Sequence, residues 1–389
     1  LSTGDDPGTL EIVTGSGGFY GYGKEAGYLV IGDDQRGTLR MRVTDAGAGN
    51  DSAAVVAGVT PRCTTIGARR GRAEVELASG TLNAGNWGIW LGAADTDTSA
   101  VTGRVTVAGG RMSISSGYYD GSWSGLAVGI ASQPANPACV AGELILSSGS
   151  VSVGNLSPLG LGIAAACGLV RQTGGTFTMS ANQGVTVLGY GSGTGVWEMS
   201  GGTFSSSRPL YIGGCSKEEL QLSPAFSAPA ACAPGRRAAH GRFAAQGGTI
   251  TLTHELGAIV GADGPGRLEI GAEAVFTTPA LTLKGADATL AFVLGTRGAG
   301  TLEATNVAVE EGAKLVVDAT QLASTARARI RLVGSKAHTG DFAPEQVTII
   351  TAPANAWRFA SYSLAWVDGE TDGGLYLQLQ PRGMIINVR

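Results

Sequence analysis

The chain has 389 residues, of which 63 are glycine and only 15% are charged, and its formal net charge is -4. The glycines do not follow the triplet period of collagen, and a hydrophobic fraction of 43% is too high for a disordered chain. The acidic balance argues against a nucleic-acid partner, and no apolar run is long enough to predict a membrane span. The start lacks a basic and an apolar signal region, so we expect Leu1 to follow a removed export signal.

One phrase recurs along the chain: an apolar strand ending on glycine, a polar turn, a second glycine, and an alternating strand that runs into a Gly-Gly or Ser-Gly corner. Examples are LVIGDDQRGTLRM from Leu29 and TVLGYGSGTGVWEMSGGTF from Thr186. Copies follow one another at 25 to 46 residues, which fits a unit of about 25 residues with insertions and predicts a stacked repeat fold. The second glycine of the phrase is at Gly8, Gly37, Gly71, Gly103, Gly142, Gly168, Gly195, Gly241, Gly266 and Gly300.

Each unit contains three short runs with alternating apolar residues, for example residues 176–179, 185–188 and 196–199. Three strands and three corners form one coil, so residues 1–312 predict a right-handed parallel β-helix of about ten coils, with a loop insertion at about 215–240. Coils stacked at ~4.8 Å give a rod roughly 48 Å long. The glycines are expected at corners, where a positive φ or a close backbone approach is required.

After residue 312 the predicted strands become longer and are separated by Pro, Gly and Asp turns. Residues 313–389 are therefore predicted to form a β-rich cap, antiparallel or mixed, because an uncovered last coil exposes unpaired backbone groups.

The repeated phrase, hhhG, turn, G-[TR]-[LV]-x-[LMV], then GG-T-[FIL], resembles the repeat shared by type V secretion passengers and PEP-CTERM-sorted surface proteins of Gram-negative bacteria. The match runs from about Gly8 to Gly312. The resemblance implies an extracellular or cell-surface β-helical protein, an adhesin or a structural passenger. In two respects the chain departs from that pattern: no outer-membrane barrel follows the repeats, and PRGMIINVR at the end lacks a PEP sorting segment with a membrane span.

Four of the five cysteines are predicted in the same turn of the repeat, the one after the strand that ends on glycine: Cys63, Cys139, Cys167 and Cys215. When copies are aligned, Cys139 and Cys167 occupy the same turn of adjacent coils, which places them at disulfide distance. Cys215 and Cys232 bracket the longest insertion and form a second candidate disulfide. The alternative is buried reduced thiols, and Cys63 stays unpaired on either assignment. A zinc site is disfavoured because no CxxC occurs and the three histidines are scattered.

Aromatic residues from successive coils form a candidate sugar-stacking strip near the strand that ends on the first glycine of the phrase. The alternative is that some of them fill the core and the others pack under a loop, with Trp90 the first choice for an internal position. The candidate glycan contacts are Trp87, Trp90, Tyr118, Tyr119 and Trp123.

No constellation of carboxylates or of histidine with a carboxylate points to catalysis. Asp33 and Asp95 would share a face, but Arg69 and Arg70 lie between them, and His240, His254 and His338 have no evident partner. We therefore predict neither a catalytic centre nor a cofactor. The predicted function is that of an extracellular structural protein, a fibre subunit or an adhesin. The alternative is a β-helix that binds or cleaves polysaccharide.

The repeat is already under way at Gly8, which predicts a first coil with an open edge. An apolar strand near the other end is predicted to add to the sheet of a second copy and so to build an end-to-end filament. The alternative is a monomeric passenger whose first coil is covered by a segment outside this sequence. The candidate contact residues are Met384, Ile385, Ile386 and Val388.

Overall fold

The computed structural model describes most of the chain between residues 9 and 381. The described residues are 9–14, 19–20, 29–33, 38–45, 54–57, 64–68, 72–84, 88–94, 101–116, 125–131, 140–155, 159–164, 166–181, 184–216, 219, 240–322, 329–352, 359–369 and 372–381. Side chains are described from Ile66 onward.

The described residues are almost entirely strand. The first strands are β1 (Thr9–Thr14), β2 (Phe19–Tyr20), β3 (Leu29–Asp33), β4 (Thr38–Asp45), β5 (Ala54–Ala57), β6 (Thr64–Ala68), β7 (Arg72–Leu77), β8 (Thr81–Ala84), β9 (Ile89–Ala94) and β10 (Val101–Ser116). They are followed by β11 (Leu126–Ala131), β12 (Val140–Asn155), β13 (Leu159–Ala164), β14 (Cys167–Gln172), β15 (Thr176–Ala181), β16 (Thr186–Gly191), β17 (Thr194–Met199), β18 (Thr203–Ser206), β19 (Leu210–Ile212) and β20 (His240–Leu252). The last are β21 (Ala258–Val260), β22 (Gly266–Leu283), β23 (Ala288–Val293), β24 (Thr301–Val309), β25 (Lys314–Ala319), β26 (Arg329–Thr339), β27 (Val347–Thr351), β28 (Phe359–Val367) and β29 (Gly374–Pro381), with 3₁₀ turns at Gly285–Asp287 and Pro344–Gln346.

The strands form a parallel β-helix, as the sequence predicts. All 29 described strands belong to one hydrogen-bonded sheet. Apart from β28 and β29, which pair antiparallel, they are divided by the pairing into three parallel stacks. Stack 1 contains twelve strands or strand segments: β1, β4, β7, the first halves of β10 and β12, β14, β17, the first halves of β20 and β22, β23, β25 and β27. Stack 2 begins after the Gly-Gly corner and includes β8, β15 and β18, and stack 3 is formed by the strands that contain the first glycine of the phrase, including β9, β13 and β16.

The predicted second glycines lie in one column of stack 1. Neighbouring strands pair Gly103 with Gly142, Gly142 with Gly168, Gly168 with Gly195, Gly195 with Gly241, and Gly241 with Gly266. The prediction is wrong at both ends of this series. Leu39 and Ala73 hold the position in β4 and β7, two residues after the predicted glycines, and Ala288 holds it in β23. Gly300 lies instead before the stack 2 segment of β24, because the coil that follows Gly266 is shorter and turns through the 3₁₀ segment Gly285–Asp287.

Close backbone contact explains this column of glycines. Gly189, in stack 3 strand β16, has a φ of 73°. A Cβ on Gly195 would lie 2.4 Å from the Gly189 amide nitrogen. A Cβ on Gly189 would in turn lie 2.3 Å from the carbonyl oxygen of His240 in the next coil. Since no side chain fits at either position, the corner between stacks 3 and 1 requires glycine on both sides.

The core is a continuous column of inward side chains. In β17 the alternation buries Gly195, Trp197 and Met199 and turns Val196 and Glu198 outward. Trp197 lies 4.9 Å from Phe177 and 5.7 Å from Phe243, measured between ring centroids. These inward aromatic rings from stacks 1 and 2 fill the middle of the rod, where they bury large apolar area. The rings in mutual contact are Phe177, Trp197, Phe204, Phe243 and Phe276.

The cap begins later than the predicted boundary at residue 312. Parallel pairing continues through β25 to β27, because Lys314 pairs with Thr289 and Val347 pairs with Leu315 in stack 1 register. Antiparallel pairing appears where β26 meets β29 and where β29 meets β28. Tyr362, Leu364 and Trp366 of β28 pack against the end of the core, so the cap is mixed. Among the described strands, β27 pairs on one side only.

None of the helical segments in the described ranges combines the length and apolar character needed to cross a bilayer.

Candidate functional site

The outer face of stack 1 carries a ladder of opposite charges that links successive coils. Arg104 contacts Glu74 on one side at 3.5 Å and Glu143 on the other at 2.6 Å. Arg171 likewise bridges Glu143 at 2.9 Å and Glu198 at 3.3 Å. The ladder continues through Arg242, which lies 3.9 Å from Glu198 and 3.2 Å from Glu269, and it ends at Arg267, 3.0 Å from Glu269.

Strand register positions these side chains. Residues one and three places after the column glycine point outward, and neighbouring coils place them side by side. Arg104 pairs with Glu143 at the first place, and Arg171 pairs with Glu198 at the third. Seven adjacent strands of stack 1, from β7 to β22, each contribute at least one charge. Arg104, Arg171 and Arg242 therefore join the coils above and below them, whereas Arg267 contacts Glu269 on its own strand.

Two carboxylates of the ladder, Glu143 and Glu269, lie deeper than the guanidiniums, whereas the side chains of Glu198 and Glu74 are 44% and 37% exposed. The side chain of Glu143 is 12% exposed and that of Glu269 is 8% exposed, whereas those of Arg104, Arg171 and Arg242 are 41%, 51% and 42% exposed. Glu269 accepts hydrogen bonds from Arg242, Arg267 and the Gln246 amide, at 3.2, 3.0 and 2.7 Å. A buried carboxylate is stable when it is paired and hydrogen-bonded in this way. At Glu143 and Glu269 the outer groups of the ladder are therefore the arginines.

Two adjoining grooves follow the ladder along the rod axis. One has a volume of about 530 Å³ and extends from Thr102 to Arg242, and the other has a volume of about 390 Å³ and extends from Thr194 to Lys314. They share Thr194, Val196 and Arg242, so together they form a continuous feature, here called the ladder groove. Its floor contains the column glycines and threonine side chains, and its charged lining residues are Arg104, Arg171, Arg242, Arg267, Lys314, Glu143, Glu198 and Asp287.

The sequence reasoning missed this ladder, although a signal was present. The repeat phrase already contains arginine or threonine directly after the second glycine, and aligning the copies places Arg104, Glu143 and Arg242 in one column. Arg171 and Glu198 lie two places further along their strands than that column. Only the strand register shows that they lie on the same outer face of stack 1.

Of the five residues in the predicted aromatic strip, Trp90 alone lies within the described residues. Trp90 is half-buried between Ile89 and Leu91, both of which are fully buried in the core. It therefore points outward from stack 3, and the expectation of an internal Trp90 is wrong because the alternation of β9 selects its two neighbours. Trp87, Tyr118, Tyr119 and Trp123 lie outside the described residues, so their role in glycan contact stays a prediction.

Trp90 contributes to a second apolar cluster on the outer side of stack 3. The cluster's buried members are Ala127, Ile130, Ile163, Val185, Val187, Tyr190, Tyr211, Cys215 and Ile259. At its edge the Tyr211 hydroxyl donates to Glu219 at 3.1 Å. Burial, together with the Glu219 charge, raises the pKa of Tyr211, and burial raises the pKa of the Cys215 thiol. Asp263 has a raised pKa for the same two reasons, burial first and then Glu219. These groups are consequently neutral at pH values where exposed counterparts begin to ionise.

The register between β12 and β14 differs from the one on which the Cys139–Cys167 prediction depends. Cys167 pairs with Ala141, two residues after Cys139, so the two cysteines do not occupy equivalent positions. Cys139 and Cys232 lie outside the described residues, as does Cys63. No disulfide is present among the residues that the structure describes, and Cys215 is a buried thiol there. Both pairings stay predictions.

Alkylation tests the pairings directly. If both disulfides form, intact-mass analysis after alkylation in denaturant without reductant should detect only Cys63 as modified. The same treatment after reduction should modify all five cysteines, which is the control for access. Five modified cysteines without reductant would contradict both disulfides. If Cys215 is protected only when denaturant is left out, the protection reflects its burial and raised pKa and not a disulfide.

The residues considered for catalysis or metal binding do not converge in the described part of the chain. His338 stacks on Trp366 with a centroid distance of 4.3 Å and lies 3.8 Å from Asp368, so it has a carboxylate neighbour that the sequence did not suggest. His254 accepts a hydrogen bond from the Leu256 amide, and Asp95 lies outside the described ranges. Within those ranges no group of three or more His, Cys, Asp or Glu side chains is arranged to hold a metal ion.

Fold and site together define an all-β parallel solenoid with a charged groove along one face. Comparison of the chain with protein-family models, with curated proteins and with solved structures found no match.

Proposed function

We propose that the chain is an extracellular structural protein, a surface fibre subunit or an adhesin, exported by a Gram-negative bacterium. Its partners on this proposal are further copies of itself or a cell-surface glycan. The resemblance of the repeat phrase to passenger repeats supports the export and surface location. The stacked coils support a structural role, since a solenoid is a rigid spacer whose length grows with its number of coils.

The observation that carries the proposal is the ladder. Its carboxylates, which an enzyme of this fold would direct at a substrate, each contact an arginine on a neighbouring coil. Glycoside cleavage requires two carboxyl groups that face the same bond, one of them able to donate a proton. Glu143 and Glu198 instead share Arg171, an arrangement that holds coils together.

The proposed end-to-end contact uses the apolar residues Met384, Ile385, Ile386 and Val388, which lie outside the described residues. The last strand of stack 1 supports such a contact, because β27 pairs with β25 alone among the described strands and Ile350 is 45% exposed. A strand with one unpaired edge accepts an added strand, and a head-to-tail contact continues without closing.

Deletion of residues 382–389 tests this contact. Negative-stain images of the native protein are expected to show fibres, and the deletion variant should give single rods with an unchanged circular dichroism spectrum. A matched variant with Met384, Ile385, Ile386 and Val388 replaced by serine keeps the chain length and should behave like the deletion. Native particles that stay single rods at every concentration would refute the fibre.

The alternative function is a carbohydrate-active β-helix, and the ladder groove is the observation that favours it. Incubation with acidic and neutral polysaccharides, followed by detection of new reducing ends or unsaturated products, separates cleavage from binding. Product formation that is lost in Glu198→Gln would replace the structural proposal with an enzymatic one.

A further inference from the structure

We propose that the ladder groove binds a linear anionic polysaccharide, which lies along the rod axis with its acidic groups on Arg104, Arg171 and Arg242. This inference deepens the glycan-binding part of the proposed function and is independent of fibre formation. It moves the expected glycan contact from the aromatic strip near Trp90 to the outer face of stack 1.

Charge is the first argument. Five cations line the groove against three carboxylates, although the whole chain has a net charge of -4. Glu143 lies beneath its arginines, with its side chain 12% exposed, so it offsets their charge at the surface less than an exposed carboxylate such as Glu198 does. Local excess charge of this kind attracts a ligand of opposite sign even on an acidic protein.

Unused hydrogen-bond donors are the second argument. Arg171 donates to Glu198 through Nε and to Glu143 through Nη1, and Arg104 uses Nε and Nη1 toward Glu143 and Glu74. Within the described part of the chain, Nη2 of both side chains makes no hydrogen bond or ion pair. A guanidinium has five N–H donors, and its planar fork matches the two oxygens of a carboxylate. Each arginine therefore retains donors for a ligand while it holds the ladder.

Spacing is the third argument. Arg104, Arg171 and Arg242 belong to β10, β14 and β20, which are every second strand of stack 1. Alternate strands of a parallel stack are roughly 10 Å apart, so the guanidiniums recur at that interval along the axis, with Arg171 two residues further along its strand than Arg104 and Arg242. A sugar ring in an extended chain advances by about the height of one coil, so alternate acidic sugars meet successive arginines.

The groove floor suits sugar rings better than nucleobases. Thr102 and Thr194 supply hydroxyl groups, and Leu169 and Val196 supply apolar contacts for ring C–H groups. Among the described residues that line the groove, none is Phe, Tyr or Trp. Proteins that bind single-stranded nucleic acid stack bases on such rings, so we favour the polysaccharide.

Binding of polygalacturonate oligomers, measured by isothermal titration calorimetry at low salt, tests the proposal. The probe is compared with the fully methyl-esterified polymer, which has the same backbone without the charge. We expect binding of the acid form only, and a loss of roughly tenfold or more in affinity in Arg171→Gln/Arg242→Gln, since 1.4 kcal/mol corresponds to a factor of ten. The control Lys284→Gln/Arg297→Gln removes two exposed positive charges elsewhere and should leave binding unchanged.

Glu198→Gln gives a result of opposite sign. It removes the acceptor shared by Arg171 and Arg242 and releases both guanidiniums toward the groove, so the affinity should increase severalfold. If the ladder only holds coils together, this variant lowers the melting temperature and gains no affinity.

Four outcomes overturn the proposal: no binding of polygalacturonate, equal binding of the esterified polymer, tighter binding of a poly(dT) oligonucleotide, or unchanged or weaker binding in Glu198→Gln. Circular dichroism of each variant confirms that the coils are folded. Fibre formation, scored separately by negative stain, distinguishes failure of this site from failure of the fibre proposal.

Discussion

Replacing Gly189 or Gly202 by valine is expected to destabilise the coils severely. Gly189 has φ 73° and Gly202 has φ 81°, backbone angles that a β-branched residue resists. A Cβ at Gly189 would also lie 2.3 Å from the His240 carbonyl oxygen, and one at Gly202 would lie 2.5 Å from the Gly174 carbonyl oxygen. Both clashes would be with backbone atoms, which cannot rotate away as a side chain can. The clashes are therefore removed only if the coils separate. We expect a cost of about 3–5 kcal/mol for each variant.

Thr176→Val is the matched control, because Thr176 is an exposed strand residue of similar shape to valine. Its cost should stay within about 0.5 kcal/mol. Thermal unfolding followed by circular dichroism, together with hydrogen exchange of the β16 and β17 amides, measures the difference. Equal melting temperatures for the corner and control variants would contradict the assigned coil register. The loop residues Asp97 and Thr98, for which the sequence predicts tolerance, lie outside the described residues.

Trp197→Ala is expected to have the second large effect. Trp197 is fully buried at the centre of the rod, in contact with Phe177, Phe204 and Phe243 from the coils around it. Truncation leaves a cavity that rings held by their own coils cannot fill, so we expect a loss of about 3–5 kcal/mol. Because each coil contacts mainly its neighbours, the loss should be local to β14, β17 and β20.

Two further variants separate packing from polarity at this position. Trp197→Phe keeps most of the ring and removes the buried Nε1 group, which has no hydrogen-bond partner among the described residues, so its cost should be below about 1.5 kcal/mol. Val196→Ala on the outer side of the same strand should cost less than Trp197→Ala. Denaturant unfolding monitored by hydrogen exchange tests the order. A Trp197→Phe variant as unstable as Trp197→Ala would show that the indole nitrogen has a role that the core packing does not explain.

Much of the fold follows from local chemistry that the sequence shows directly. The alternation in β17 predicts which side chains point inward, and Trp197 and Met199 are buried as expected. The column from Gly103 to Gly266 was predictable because a corner that brings two backbones into contact excludes every other residue type at that place. At Ala288, which follows the 3₁₀ segment Gly285–Asp287, the column position is not glycine and the predicted position was wrong.

The candidate site depended on information that a single coil does not contain. Arg171 and Glu198 are 27 residues apart in sequence, and their 3.3 Å contact exists because adjacent coils are in register. Cys139 and Cys167 show the effect of register, because Cys167 pairs with the residue two places after Cys139. Insertions of variable length between copies conceal such shifts when the copies are aligned by sequence.

The sequence by itself determined the class of fold, the inward residues and the glycine corners, because these depend on backbone conformation and on alternation within one strand. Only the tertiary structure decided the ladder, the groove and the outward position of Trp90. The physical reason is that strand stacking converts residues distant in sequence into neighbours about 5 Å apart, and the register of that stacking is set by the packing of whole coils.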